Sequence, residues 1–284
     1  MSRIAIIAAI EREVGPLIRS WKVRANLRTN VRTMEHDGRH YRLFENGEAA
    51  LVCAGIGAEA ARRATEAIIR EVNPVRVISV GFAGALDNSL QVGQVLQPRT
   101  VINAADGVRT EVGSGEGVLV SSATVADQEQ KIRFGETYGA SAVDMEAAAV
   151  AQGARARGVE FAVLKAISDA ADFSLPAIEG FVADDGTFRS FRFGCHAALR
   201  PWLWGTTMAL ARNSSKASEA LCGALASYLA NYPIRETYSR QTLPGESSVS
   251  DLNPTVVSET ENATCAGAHT HTGTQPHTRA TEKR

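Results

Sequence analysis

Three carboxylates stand where apolar runs give way to helix-forming ones: Glu13, Glu146 and Asp169. Glu13 follows the first apolar run. Glu146 opens an alanine-rich stretch, and Asp169 closes Phe161-Ala162-Val163-Leu164-Lys165-Ala166-Ile167-Ser168. An open α/β sheet gathers its active site at such strand ends and helix starts. Acids placed there can move protons or stabilise developing positive charge. One acid in the first turn of a helix is ordinary, because it complements the helix dipole. Three of them, each at a strand–helix junction, ask for a common site.

The elements that must position them follow from periodicity. Residues 3–10 are continuously apolar, as a strand covered on both faces should be. Residues 40–54 suggest a hairpin turning at Asn46-Gly47, a type I′ signature. Gly55-Ile56-Gly57 opens a helix predicted over Ala58 to Val72. Strands are predicted at 75–82, within 91–103, at 117–121 and at 159–167. Helices are predicted at 127–137, 145–157 and about 205–230. Strands alternating with helices indicate an α/β domain with a mixed, largely parallel sheet flanked by helices.

Size and composition agree with one such domain over residues 1–232. The chain has 284 residues, 44% hydrophobic, with a formal net charge of −1. Charge so nearly balanced argues against nucleic acid or an acidic membrane as the general partner. Cys53, Cys195, Cys222 and Cys265 form no CxxC pair and fit a reduced, cytoplasmic compartment. The apolar start meets Glu11 at once, with no spacer or small-residue cleavage site after it, so it reads as a strand rather than a signal peptide. Two segments stand apart. Residues 173–204 are rich in aromatic side chains. Residues 235–284 hold few large apolar ones and predict a disordered tail.

The segments around the acids read Ile6-Ile7-Ala8-Ala9-Ile10-Glu11-Arg12-Glu13-Val14, Ala54-Gly55-Ile56-Gly57, Ala142-Val143-Asp144-Met145-Glu146-Ala147 and Ala166-Ile167-Ser168-Asp169-Ala170-Ala171-Asp172. In this order and spacing they resemble the methylthioadenosine/S-adenosylhomocysteine nucleosidases of the nucleoside phosphorylase superfamily. Val80-Gly81-Phe82-Ala83-Gly84-Ala85-Leu86 fits the same pattern. The resemblance implies cleavage of the N-glycosidic bond of a 5′-modified purine nucleoside. It implies Asp169 as the acid that protonates the purine N7, which requires desolvation or a like charge beside it. Glu146 would grip the ribose hydroxyls, with Met145 packed under the ring. Glu13 would orient or deprotonate the nucleophile. Val125, Ala126 and Ser168 would face the substrate, and Gly57 would lie near the nucleophile. A homo-oligomer is implied, with no metal and no organic cofactor.

Departures from the family pattern bear on the nucleophile. Phe82 stands where the hydrolases usually carry serine, and Lys165 where they usually carry arginine, which keeps the charge but loses the planar fork. Water and phosphate both remain candidates, the second as a co-substrate with Arg12, Arg62, Arg63 or Lys165 as its partners. The aromatic stretch, with Arg200-Pro201-Trp202-Leu203-Trp204, resembles the hopanoid-associated phosphorylases that act on adenosylhopane. It could line an apolar channel or touch a membrane surface; a lid or subunit interface is the plainer reading. A non-catalytic nucleoside-binding protein is the rival from another class, favoured by Phe82 and opposed by the retention of all three acids. Cys265, His269, His271 and His277 could ligate a metal, but a tail without a folded frame gives them no geometry.

Overall fold

The computed structural model describes residues 3–23, 30–173 and 204–232. Residues 174–203, all but the two ends of the aromatic stretch 173–204, and the tail from 233 onward lie outside the described residues. By internal contacts the chain divides into Met1–Thr237 and Tyr238–Arg284, and every described residue belongs to the first unit.

The chain order is β1 (Ile4–Ala8), α1 (Glu11–Val23), β2 (Asn30–His36), β3 (Arg39–Asn46), β4 (Ala49–Cys53), α2 (Ala58–Val72) and β5 (Arg76–Ala85). There follow β6 (Val95–Leu96), β7 (Thr100–Asn103), β8 (Arg109–Glu111), β9 (Val118–Ser121), α3 (Gln128–Tyr138), β10 (Ala142–Asp144), α4 (Ala147–Arg155), β11 (Glu160–Asp169) and α5 (Trp204–Asn231). The strands form one mixed sheet. Its main path runs β2-β3-β4-β1-β5-β10-β9-β7-β8, while β11 pairs with β5 and β6. Parallel pairing joins β4, β1, β5 and β11, and separately β10, β9 and β7. Antiparallel pairing builds the β2-β3-β4 edge, the β7-β8 edge, the β6 contact and the β5–β10 seam. The α/β fold with a mixed central sheet, predicted from alternation, is the fold observed.

Helices cover both faces. On one side Ile6, Val80 and Leu164 meet Val14 and Trp21 of α1 and Leu221 and Leu225 of α5. On the other, Ile7, Val52 and Val77 meet Ile68 of α2 and Val150 of α4. Alternate residues of the same strands serve the two cores, which explains why β1 reads as a continuous apolar run. Among the described residues, no helix is long and apolar enough to cross a membrane.

Two local features differ from expectation. The 40–54 hairpin forms, but its two-residue turn is Gly47-Glu48, with Asn46 pairing Ala49 and only Gly47 at positive φ. Pairing Phe44 with Leu51, both fully buried, decides this register over the turn signature. The two successive positive φ angles that a type I′ turn needs occur one hairpin earlier, at Asp37 (50°) and Gly38 (71°), between β2 and β3. Helix α1 was not legible because Gly15 and Pro16 interrupt it. Pro16 has no N–H to offer the Arg12 carbonyl. The Ser218 hydroxyl of α5 donates to that carbonyl (3.0 Å) and lies equally close to the Glu13 carbonyl (3.0 Å). The last helix therefore fastens the turn of α1 that carries Glu13.

Helices α2 and α4 meet at Gly153, where an added Cβ would lie 2.8 Å from Cγ2 of Thr65. Gly153→Ala is expected to destabilise the fold by about 1–2 kcal/mol, since overpacking of about 1–3 kcal/mol outweighs alanine's helix propensity of up to about 1 kcal/mol. Urea titration of both proteins checks this; an unchanged midpoint would show that Thr65 yields freely.

Candidate active site

The C-terminal ends of β1, β5, β10 and β11 converge, and the sequence-predicted acids come from them. Glu13 sits in the first turn of α1, 5% exposed. Its Oε2 accepts from the amides of Ala9 (2.9 Å) and Ile10 (3.2 Å), and its Oε1 from the amide of Phe82 (3.1 Å). Glu146 precedes α4 and reaches across to α2, where Oε1 accepts from the Gly57 amide at 2.8 Å. Gly57, the residue before α2, has φ 98°, a conformation that favours glycine.

Lys165 and Asp144 complete this cluster. Lys165, 1% exposed on β11, places Nζ 2.8 Å from Oδ2 of Asp144. Asp144 also accepts from the Ser121 hydroxyl (2.5 Å) and the Ala147 amide (2.9 Å), so it is fully engaged in holding β9, α4 and Lys165 together. Burial pushes the Glu13 carboxyl above its ordinary range, against the pull of Lys165 and the three amides. Burial likewise pushes Glu146 up to about 7, with Asp144 and Glu13 adding to the rise and Lys165 and the Gly57 amide opposing it. For Lys165, burial lowers the ammonium, but Asp144, Glu146 and Glu13 outweigh it and the net shift is upward. Three carboxylates thus share one buried cation.

Asp169 forms a second cluster. It is 2% exposed, at a bulge where β11 skips Ser168 and pairs Asp169 with Gly84 of β5. Oδ1 accepts from the Ser168 hydroxyl at 2.7 Å. Oδ2 accepts from Nζ of Lys131 at 2.6 Å, and Lys131, itself 3% exposed on α3, donates as well to the carbonyls of Ala170 (3.0 Å) and Phe173 (3.2 Å). The desolvation expected around Asp169 is present. The like charge is not: among the described residues its close ionic partner is a cation. Two glycines of β5 make room for the acids. A Cβ on Gly84 would stand 2.8 Å from Oδ2 of Asp169, and one on Gly81 3.0 Å from Oε1 of Glu13. Gly81 and Gly84 are three residues apart, about 10 Å along a strand, so the two acid clusters draw on separate positions of β5.

The remaining candidates divide. Met145 is half-buried between Asp144 and Glu146. Val125 is half-buried in the loop before α3, and the side chain of Ala126 packs into the core with Ile102, Phe134 and Val143. The ring of Phe82 packs on the α1–α5 side of the sheet, and its contact with Glu13 is through the main-chain amide. Arg12 is exposed and leans on the Ala211 carbonyl of α5 at 3.4 Å. Arg62 and Arg63 pair with Glu59 on the outer face of α2. Sequence reasoning missed Lys131 and the structural role of Asp144. The latter stood inside the quoted Val-Asp-Met-Glu-Ala run; Lys131 lay in a polar helical stretch with nothing to mark it. Among the described residues one group of potential metal ligands, His36, Asp37 and Glu66, lies within mutual reach, but Glu66 is already paired with Arg62.

The model of the phosphorylase superfamily matches residues 3–124 and 114–188, which span all these clusters. The chain belongs to the phosphorylase superfamily. Its members cleave the N-glycosidic bond of nucleosides. Among relatives, the 5′-methylthioadenosine/S-adenosylhomocysteine nucleosidase of Glaesserella parasuis serovar 5 is 29% identical over 205 residues, 60% of this chain and 86% of that one. Solved structures share the fold. Futalosine hydrolase of Helicobacter pylori has a TM-score of 0.60 at 20% identity, covering 81% of this chain and 97% of that one. S-adenosylhomocysteine nucleosidase from Streptococcus pyogenes, in complex with 5-methylthiotubericidin, has a TM-score of 0.60 at 18% identity, covering 82% and 98%. Within the superfamily this chain is thus related to nucleosidases, although its β11 carries lysine at position 165.

Proposed function

We propose that this superfamily member hydrolyses the N-glycosidic bond of a 5′-modified purine nucleoside and releases adenine. The observation that carries the reading is the cluster of Glu13, Asp144 and Glu146 around Lys165. A ribosyl group losing its base develops positive charge, and a carboxylate on the ribose hydroxyls stabilises it. The same cluster disfavours phosphate as nucleophile. Phosphate brings further negative charge and calls for a fork of donors, while Arg12, Arg62 and Arg63 are directed elsewhere. Water carries no such cost, and Glu13 is a base to receive its proton. Asp169 supplies N7 protonation in this scheme, Glu146 the ribose grip with Met145 beneath it, and the Val125–Ala126 loop and Ser168 lie toward the base. The scattered cysteines suit a cytoplasmic location, and the family resemblance supports a homo-oligomer. An adenosylhopane phosphorylase is the second reading; the aromatic residues within 173–204 are the feature that favours it.

Base release from methylthioadenosine, S-adenosylhomocysteine and adenosylhopane, each with and without phosphate, tests these readings. Adenine from a thioether nucleoside without phosphate is the expected result. Release only from adenosylhopane and only with phosphate would replace it with the second reading. No release from any nucleoside would favour binding without turnover.

The Glu146 shift predicts a pH dependence. The charged carboxylate is the form that stabilises the sugar cation, so kcat/KM is expected to fall as pH drops through about 7. Stability runs the other way. Folded Glu146 keeps its proton up to about 7, whereas the unfolded chain releases it near 4.5. The folded state therefore binds more protons in that window, and the contribution, complete below 4.5, is lost as pH rises through 7. Glu146→Gln should lose activity, yet melt progressively higher than wild type as pH is raised from 4.5 to 7. Parallel melting curves at all pH values would show that Glu146 ionises normally.

A further inference from the structure

Lys131 is a buried cation that the scheme above leaves without a task. All three of its N–H groups are spent: on Oδ2 of Asp169, the Ala170 carbonyl and the Phe173 carbonyl. Both oxygens of Asp169 are likewise occupied, by Lys131 and by Ser168. An anion so satisfied has no proton to give a leaving base. The Lys131 ammonium does carry protons, its Nζ lies 2.6 Å away, and the site is dry, with 2% of the Asp169 and 4% of the Lys131 side chain exposed. In a water-excluded site two opposite charges and two neutral groups differ less in energy than they do in water.

Resting on the nucleosidase reading, the geometry points to Lys131 as the positioning residue that charges Asp169 with the proton it passes to the purine. The step balances. Nζ yields a proton to the Asp169 carboxylate, and Asp169 yields one to N7 as the C1′–N9 bond breaks and its electron pair goes to the base. Water adds its oxygen to C1′ and gives its proton to Glu13. Lys131 is left as a neutral amine that still donates to its two carbonyls, and it regains a proton from solvent when the base departs. Ala170 and Phe173 thereby hold the amine in place through the cycle. Helix α3 has its own reason to be rigid: a capping box between Asp127 and Gln130 fixes its first turn, one residue before Lys131.

The test compares Lys131→Met and Lys131→Arg with wild type on two substrates: the nucleoside that wild type cleaves, and its N7-methylated form, which already carries the positive charge and needs no proton. Both variants are expected to lose about 100-fold in kcat on the ordinary nucleoside with KM little changed, and to retain wild-type rates on the methylated one. Arginine keeps the charge and the hydrogen bonds but does not surrender a proton. Should Lys131→Met fail to fold, the comparison of Lys131→Arg with wild type decides. Recovery of the wild-type rate by arginine overturns the proposal and leaves Lys131 as a clamp. Equal slowing on both substrates overturns it too, as does a wild-type rate in Lys131→Met. Wild type silent on every nucleoside would sink the parent reading and this one together, whereas wild-type turnover with unaffected variants sinks this one alone.

Discussion

Asp169→Asn is expected to lower the rate of adenine release by about 10²- to 10⁴-fold, the range for removal of a positioned general acid, while nucleoside affinity falls far less. Asparagine has the shape of the acid and can still meet Ser168, but it cannot hand a proton to N7. The substitution also strands Lys131, a 3% exposed ammonium, without its anion. Breaking a buried pair from one side costs about 3–5 kcal/mol, so the variant should melt well below wild type and must be assayed in the cold, where it is folded. Base release and calorimetric binding, measured on the same preparation, separate the effects. A variant that binds and still turns over at the wild-type rate would remove Asp169 from the chemistry. One that melts like wild type would show that the Lys131–Asp169 pair contributes nothing to stability.

The second large effect belongs to Lys165. Lys165→Met leaves Glu13, Asp144 and Glu146 around a methyl thioether, and Asp144 loses a 2.8 Å partner at a side chain with no exposure. The expected cost is again about 3–5 kcal/mol, or roughly a 10 °C fall in melting temperature for a domain of this size. Lys165 holds down the proton affinity of both Glu13 and Glu146, so the acid limb of the rate profile should move to higher pH in any residual activity. Lys165→Arg keeps the charge and should be milder on both counts. Thermal melts of the two variants and the pH dependence of kcat/KM decide the matter; a Lys165→Met protein as stable as wild type would mean that the acids are protonated and need no cation.

These effects bear on how the proposed nucleosidase site tolerates lysine at position 165. The ion-pair partner of the cation is Asp144 at 2.8 Å, an aspartate already bonded to Ser121 and to the start of α4. Its service to Glu13 and Glu146 is charge, and a point charge supplies that as well as a fork does. Phe82 is similarly accommodated. Its amide serves Glu13 and its ring is taken up by the core under α5.

Much of the fold and the three acids were legible in the chain itself. Apolar runs such as Ile4–Ala8 and the amphipathic Ala58–Val72 announce their elements through burial alone, and burial depends on local periodicity. The acids stood at strand ends, where the fold class puts chemistry. What the chain could not show were relations between distant residues. Helix α1 runs on through Pro16, and Ser218, more than 200 residues on, meets the carbonyl that proline leaves. The hairpin turn at Gly47 obeys the pairing of Phe44 with Leu51 rather than the Asn-Gly signal. Above all, the charge around each acid is a tertiary property: Lys131 lies 38 residues from Asp169 and in an unremarkable helix. Residue types and spacing determined which acids this protein has. Only the reach of Lys131 from α3 to the end of β11, and the burial of Lys165 beside the acids, decided what each acid faces, because electrostatic environment depends on distance in space and on exclusion of water, neither of which is written in sequence order.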